Sequence, residues 1–155
     1  MVIHLSADHG GVLLKKKIGA YLCSLGVVVK ESGSSDALAE DDYPVFAFEV
    51  AQAIARGRGQ CFGILACRSG TGMAIAAAKV FGVRPVDAWN PTIARLARQK
   101  NDANVLVLAS DFLTFPQAKK IVDAFLNTTR DSAPRHRRRL GQIRAYEKKH
   151  LISSR

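Results

Sequence analysis

Residues 67–72 read Cys67-Arg68-Ser69-Gly70-Thr71-Gly72, at the end of an apolar run over 62–67. A cysteine at a strand end, just ahead of a helix, lies where the helix dipole favours negative charge, so its thiol pKa, about 8.5 when free, is expected to fall towards neutrality. The following backbone amides, kept accessible by Gly70 and Gly72, suit an oxyanion or a phosphate. The same residues also read as a buried strand-end cysteine followed by a tight turn. Gly-x-Gly alone is a weak signal, and no Gly-x-Gly-x-x-Gly or lysine-bearing phosphate loop is present. Asp8-His9 follows the first apolar run and supplies a hydrogen-bonding carboxylate and an imidazole; Asp8 is equally suited to capping the next helix, and the two roles are compatible. His4, inside that run, reads as a packed or edge residue. A third group, Arg135-His136-Arg137-Arg138-Arg139, suits nucleic acid, a localisation signal or a small phosphate.

The elements that must position these residues are legible in the hydrophobic pattern. Segment 2–7 predicts a buried strand, and 12–25 a helix with Leu13, Leu14, Ile18, Tyr21, Leu22 and Leu25 at helical spacing, ended by Gly26. Strand 27–29, a polar loop over 31–42 and a helix from Pro44 to about Arg58 follow. Strand 62–67, turn 68–72, helix 73–80, strand 83–88, helix 91–100, strand 105–110 and helix 116–126 continue the alternation, and 137–150 predicts a last helix. Five strands each followed by a helix imply a parallel sheet covered on both faces, a three-layer α/β/α Rossmann-like sandwich with a five-stranded parallel sheet. Ligands of such sheets bind beyond the carboxyl ends of the strands, which singles out loops 8–11, 32–43, 68–72, 89–90 and 111–114.

The chain has 155 residues, of which 48% are hydrophobic and 23% charged, excluding a disordered or collagen-like class and suiting one compact unit. No apolar run approaches the roughly 20 residues that span a bilayer, and Met1-Val2-Ile3-His4-Leu5 lacks the pattern of a signal peptide. Cys23, Cys61 and Cys67 are an odd number without a Cys-x-x-Cys pair, so neither a disulfide framework nor a zinc knuckle is indicated, and a reduced, cytoplasmic chain is expected. The net charge of +10 is unevenly placed: residues 130–155 hold nine basic and two acidic side chains, and the first 129 residues carry only +3. The division is therefore a 1–130 α/β domain and a 131–155 basic helical tail. The charge is not spread over one face of the main domain and no nucleic-acid fold signature appears, which argues against a nucleic-acid partner.

Six blocks in order, spread over essentially the full chain, resemble the ribose-5-phosphate isomerase B and galactose-6-phosphate isomerase family. They are Asp8-His9-Gly10-Gly11, Asp42-Tyr43-Pro44, Gly63-Ile64-Leu65-Ala66-Cys67, the run from Gly72-Met73 to Lys79-Val80, Asn101-Asp102-Ala103-Asn104-Val105, and Arg135-His136 followed by Arg139. The resemblance implies an aldose–ketose isomerase of a sugar phosphate, with ribose 5-phosphate and ribulose 5-phosphate foremost, working through an enediolate. Cys67 would move a proton between C1 and C2, Ser69, where the family usually has threonine, would support the thiolate, and Asp8 would hold substrate hydroxyls. Gly70, Thr71 and Gly72 would offer amides to the oxyanion, Arg135 and Arg139 would grip the phosphate, and His9 would sit near the substrate or its phosphate. Tyr43 and His136 are further candidates. The resemblance also implies a homodimer, with pairing into tetramers left open, in which Lys100 and Asn101 reach the neighbouring subunit's site. It implies no metal and no organic cofactor.

The pattern is broken in several places. Lys100 stands where the family has the histidine assigned to ring opening, and a lysine of free pKa near 10.4 is a poor proton shuttle at neutral pH, although it can donate a hydrogen bond or bind phosphate. Asp111 replaces an arginine, Arg68 a glycine and Ala78 an asparagine. Arg68 is placed either to hold Cys67 as thiolate or to pair with Asp111. Lys100 and Asp111 together point to a shifted substrate, such as galactose or allose 6-phosphate or erythrulose 4-phosphate, and they also fit a non-catalytic sugar-phosphate binder.

Overall fold

The alternation of apolar runs and amphipathic segments gives five strands and six helices among residues 1–57 and 59–152, which the computed structural model describes. In chain order these are β1 (Val2–Ala7), a 3-10 turn (His9–Gly11), α1 (Val12–Ser24), β2 (Val28–Glu31), α2 (Tyr43–Arg56), β3 (Cys61–Cys67) and α3 (Thr71–Ala77). Then come β4 (Pro85–Asp87), α4 (Pro91–Asn101), β5 (Val105–Ala109), α5 (Phe115–Leu126), α6 (Pro134–Glu147) and a π-helical turn over Lys148–Ile152. The sheet order is β2-β1-β3-β5-β4 and every pairing is parallel. This is the expected three-layer α/β sandwich.

Side chains alternate across β3, and that alternation assigns the layers. Ile64 and Ala66 pack with Leu14, Ile18, Ile121 and Phe125 of α1 and α5; Leu65 and Cys67 pack with Val50, Ile54 and Met73 of α2 and α3. Parity alone thus puts Cys67 on the α2–α3 side. In the other layer Phe125 is fully buried and meets Phe62 edge-on at 5.8 Å, with the buried Arg98 guanidinium 4.6 Å above the Phe62 ring. One Arg98 guanidinium nitrogen donates to Ala103 O at 2.7 Å and to Asp102 Oδ1 at 3.0 Å.

The element ends differ from expectation for local reasons. Strand β2 begins at Val28, not 27, and runs to Glu31; it is an edge strand, so Val28 is largely exposed and burial on both faces fails there. Strand β4 shrinks to three residues because Val83 is held in a turn by the Val80 carbonyl and Pro85 has no amide to pair. Helix α3 starts at Thr71, not 73, since Gly70 at φ +80° turns the chain early; it stops at Ala77, where Lys79 and Val80 form i→i+3 turns. Helix α6 starts at Pro134, not 137, proline being preorganised for a first turn. The expected end of α2 at Arg58 lies outside the described residues, as do residues 153–155. No helix among the described residues is long and apolar enough to cross a membrane.

Phe125→Ala should cost about 3–5 kcal/mol of unfolding free energy in a denaturant titration, because it empties the junction of α5 with the sheet and removes one of the two rings that Arg98 meets.

Candidate active site

The chain leaves β1 towards β2 on one side, while β3 pairs on the other, so the carboxyl ends of β1 and β3 diverge into the crevice where such sheets bind ligands. Asp8 and Cys67 stand on its two walls. Asp8 is 5% exposed and its Oδ1 accepts the Gly11 amide at 3.1 Å, so it does cap the 3-10 turn as its residue type suggested. Burial pushes its carboxyl above the usual carboxylate range, against the pull of the Gly11 and Gly10 amides and of His9. The turn lies so close to β3 that a Cβ on Gly11 would strike the Ala66 carbonyl, a backbone neighbour that cannot give way.

Cys67 is also 5% exposed, and its sulfur accepts the backbone amides of Met73 and Gly70. The expected fall of its pKa towards neutrality does not occur. Burial pushes the thiol up, the two amides only partly offset this, and the carboxylates of Asp8 and Asp87 add to the rise. A seven-residue helix start is outweighed by desolvation and two nearby negative charges. Gly70 is required here twice over, by its positive φ and by Asp87, whose Oδ1 would lie 2.5 Å from an added Cβ. Asp87 itself is raised by burial.

The remaining loops close around this pair. His9 Nδ1 is 2.8 Å from Asp41 Oδ1, and the same oxygen accepts the His9 amide at 3.1 Å. Burial would lift the Asp41 carboxyl, but hydrogen bonds from the His9 ring, the His9 amide and Ser34 together hold it below the usual range. The Tyr43 ring lies over Gly72, where an added Cβ would come within 2.8 Å of it. Ser69 Oγ pairs with Thr71 Oγ1 at 2.8 Å. Arg68 takes the second of its two options: its Nε is 3.6 Å from Asp111 Oδ2 in an exposed pair, with its stem across Gly10. Ser110 Oγ reaches both Gly10 O and Cys67 O at 2.8 Å and ties three loop ends together.

Lys100, Asn101, Arg135, His136 and Arg139 are elsewhere. Helix α4 starts at the carboxyl edge and returns, so Lys100 and Asn101 end it at the opposite edge, beside the start of β5. Asp131 N–H binds Gln99 O at 2.9 Å, which brings the start of α6 to that same edge. There His136 is buried with Nδ1 3.2 Å from Asp131 Oδ2, Arg135 Nε donates to His136 Nε2 at 3.3 Å, and Arg135 and Arg139 are exposed. The five residues of β5 separate the two groups by about 13 Å along the strand. Within one chain the candidate residues form two separate groups. Asp8, His9, Tyr43, Cys67, Arg68, Ser69, Gly70, Thr71 and Gly72 make the first, and the basic group makes the second.

A family model described as Ribose/Galactose Isomerase matches residues 3–143. The chain belongs to the ribose/galactose isomerase family. It is 41% identical over 146 residues to the probable ribose-5-phosphate isomerase B of Mycoplasma genitalium, covering 94% of this chain and 95% of that one. It is 40% identical over 147 residues to the ribose-5-phosphate isomerase B of Escherichia coli, covering 95% and 97%. Among solved structures, ribose-5-phosphate isomerase B of Clostridium thermocellum superposes with a TM-score of 0.91 at 38% identity, covering 97% of this chain and 99% of that one. The Mycoplasma genitalium ribose-5-phosphate isomerase B with bound ribulose-5-phosphate superposes at 0.90 with 41% identity, covering 95% and 96%.

In this member of the family, sequence reasoning missed Asp41, Asp87 and Ser110. Asp41 had a weak signal, being the residue before Asp42-Tyr43-Pro44. Asp87 and Ser110 sit at strand ends in otherwise apolar segments, and only the sheet order brings them to Cys67 and its neighbours. Cys67 should accordingly resist iodoacetamide until well above neutral pH, read on its own peptide so that the exposed Cys23 is scored apart. Asp87→Asn removes one of the charges that oppose the thiolate and should move the midpoint down; an unchanged midpoint would show that this carboxylate does not act on the thiol.

Proposed function

We propose that the chain is an aldose–ketose isomerase interconverting ribose 5-phosphate and ribulose 5-phosphate through an enediolate, with Cys67 as the base and with each site completed by a second copy of the chain. The observation that carries this reading is the thiol at the β1/β3 crevice with two backbone amides on its sulfur, faced by Asp8 and followed by a glycine turn. The ribulose-5-phosphate bound by the Mycoplasma genitalium relative supports the substrate class.

In this mechanism the Cys67 thiolate takes the proton from C2 of the open-chain aldose, the C–H electron pair forms the C1=C2 bond, and the proton returns to C1. Amides of the turn through Gly72 face the developing oxyanion, a preorganised stabilisation that costs no reorganisation during the reaction. Asp8 accepts from substrate hydroxyls. The high pKa of the isolated thiol makes its thiolate a strong base but a scarce one, so the site calls for cations that favour ionisation.

The second copy supplies them. The carboxyl edge is acidic, with Asp8, Asp41, Asp87 and Asp111, whereas residues 130–155 carry a net +7. Apposition of one chain's carboxyl edge to the other's basic edge would bring Arg135 and Arg139 to the phosphate in forked geometry, with Lys100 and Asn101 beside the sugar. His136, buried against Asp131, sets the direction of Arg135.

A second reading, isomerisation of galactose or allose 6-phosphate or of erythrulose 4-phosphate, is favoured by the Arg68–Asp111 pair at the mouth of the site and by Lys100. Turnover across these four sugar phosphates separates the readings: preference for ribose 5-phosphate supports the first, preference for another supports the second, and binding without turnover makes the chain a sugar-phosphate binder. Cys67→Ala should abolish isomerisation with the fold retained. Arg139→Ala should raise KM more than it lowers kcat, since it grips the phosphate in ground and transition states alike. At a substrate concentration well below the KM of Arg139→Ala, mixing the two variants should restore about a quarter of wild-type activity, because half of randomly paired dimers hold one intact site of two. No recovery would place both residues in one subunit's site.

A further inference from the structure

An edge that receives an anionic sugar phosphate needs positive charge, and one copy of the chain has little of it there. Loops 8–11, 32–43, 68–72, 89–90 and 111–114 hold Asp8, Asp36, Glu40, Asp41, Asp42 and Asp111, and Arg68 is their only lysine or arginine. His9, the remaining basic side chain of these loops, is engaged with Asp41.

Arg68 is a placed side chain rather than a loose surface one. Its main-chain carbonyl accepts the Asp111 N–H at 3.1 Å, beside the Ser110 N–H on Cys67 O at 2.9 Å, so its backbone is pinned to the end of β5. Its stem fills the slot that Gly10 leaves, since a Cβ on Gly10 would lie 2.3 Å from Arg68 Cγ. That route carries the guanidinium across the turn after β1 to Asp111, whose Oδ2 is 3.6 Å from Nε, an ion pair longer than a hydrogen bond. Among the described residues nothing pairs with Nη1 or Nη2, and the side chain is 71% exposed. A solvent-screened pair of this kind adds little stability. A guanidinium held along its Nε side and open along its Nη1–Nη2 edge is, however, the fork that phosphate oxygens fit.

We propose that Arg68 is a substrate-binding residue supplied by the same subunit as Cys67: its Nη1 and Nη2 grip the phosphate of the sugar, and Asp111 is the positioning residue that holds the fork by its Nε side. The proposal rests on the isomerase reading above and adds a cation from the Cys67 subunit to Arg135 and Arg139 of the second copy. The family pattern has arginine at 111 and glycine at 68. In this chain the two side chains meet, so the cation has moved from the end of β5 to the end of the neighbouring β3.

Steady-state kinetics on the full-length protein, with the sugar phosphate that it turns over best, test this. Arg68→Ala should raise KM about tenfold with kcat within about twofold, and the inhibition constant of inorganic phosphate should rise by about the same factor as KM. Arg68→Lys should recover part of the loss, because lysine keeps the charge without the fork. Adding Asp111→Arg to Arg68→Ala returns a guanidinium to the same rim from β5, and should bring both constants back to within about threefold of wild type. Unchanged KM and phosphate inhibition in Arg68→Ala overturn the proposal, as does a lowered kcat at unchanged KM, which would tie Arg68 to the thiol. A double variant no better than Arg68→Ala alone overturns it too, because the loss would then follow the shape of the loop and not its charge. If the wild type turns over no sugar phosphate, the isomerase reading falls and calorimetric titration with inorganic phosphate decides the assignment: weaker binding by Arg68→Ala upholds the grip, and equal binding removes it.

Discussion

Every strand of the sheet runs the same way, and that single direction governs what one copy of this chain can do. Parallel strands deliver all their carboxyl ends to one edge, so Asp8, Cys67, Asp87 and the Ser110-Asp111 pair converge although they are distant in sequence. Each covering helix then carries the chain back, so Lys100, Asn101 and the start of α6 are delivered to the opposite edge. About 13 Å of buried sheet separates the two groups within one chain. The topology thus sorts the candidate residues into two groups at opposite edges of the sheet.

The carboxyl edge holds more acid than a resting protein requires. Two desolvated carboxyls, Asp8 and Asp87, flank a desolvated thiol, and both raise the cost of ionising it. Strongly perturbed titratable groups gather at functional sites. The exposed Arg68–Asp111 pair contributes little stability, being solvent-screened, but fixes which charge each side chain shows at the mouth.

Rigidity at this edge comes from backbone satisfaction rather than from apolar packing. Lys15 donates to two loop carbonyls, Ser110 to the Gly10 carbonyl of the 3-10 turn and the Cys67 carbonyl at the end of β3, and Asp8 and Asp41 accept amides of that turn. A loop with few apolar side chains is thereby tied to the ends of β1 and β3 by hydrogen bonds.

The amino-acid sequence by itself determined the layer order and most elements, because near-continuous apolar runs alternating with 3.6-period segments admit a covered parallel sheet and little else. It also singled out Cys67, Asp8 and the glycine turn, whose chemistry is local to a strand end. Element ends escaped it where a positive φ at Gly70, a missing amide at Pro85 or the exposure of edge strand β2 overrode periodicity. The direction of the Cys67 pKa shift escaped it too, since burial and Asp87 are set by packing and not by the dipole of the next helix. Only the tertiary structure decided which candidates share a space. It joined His9 to Asp41 across 32 residues and parted Cys67 from Arg135, because strand direction and hydrogen-bond closure act through space.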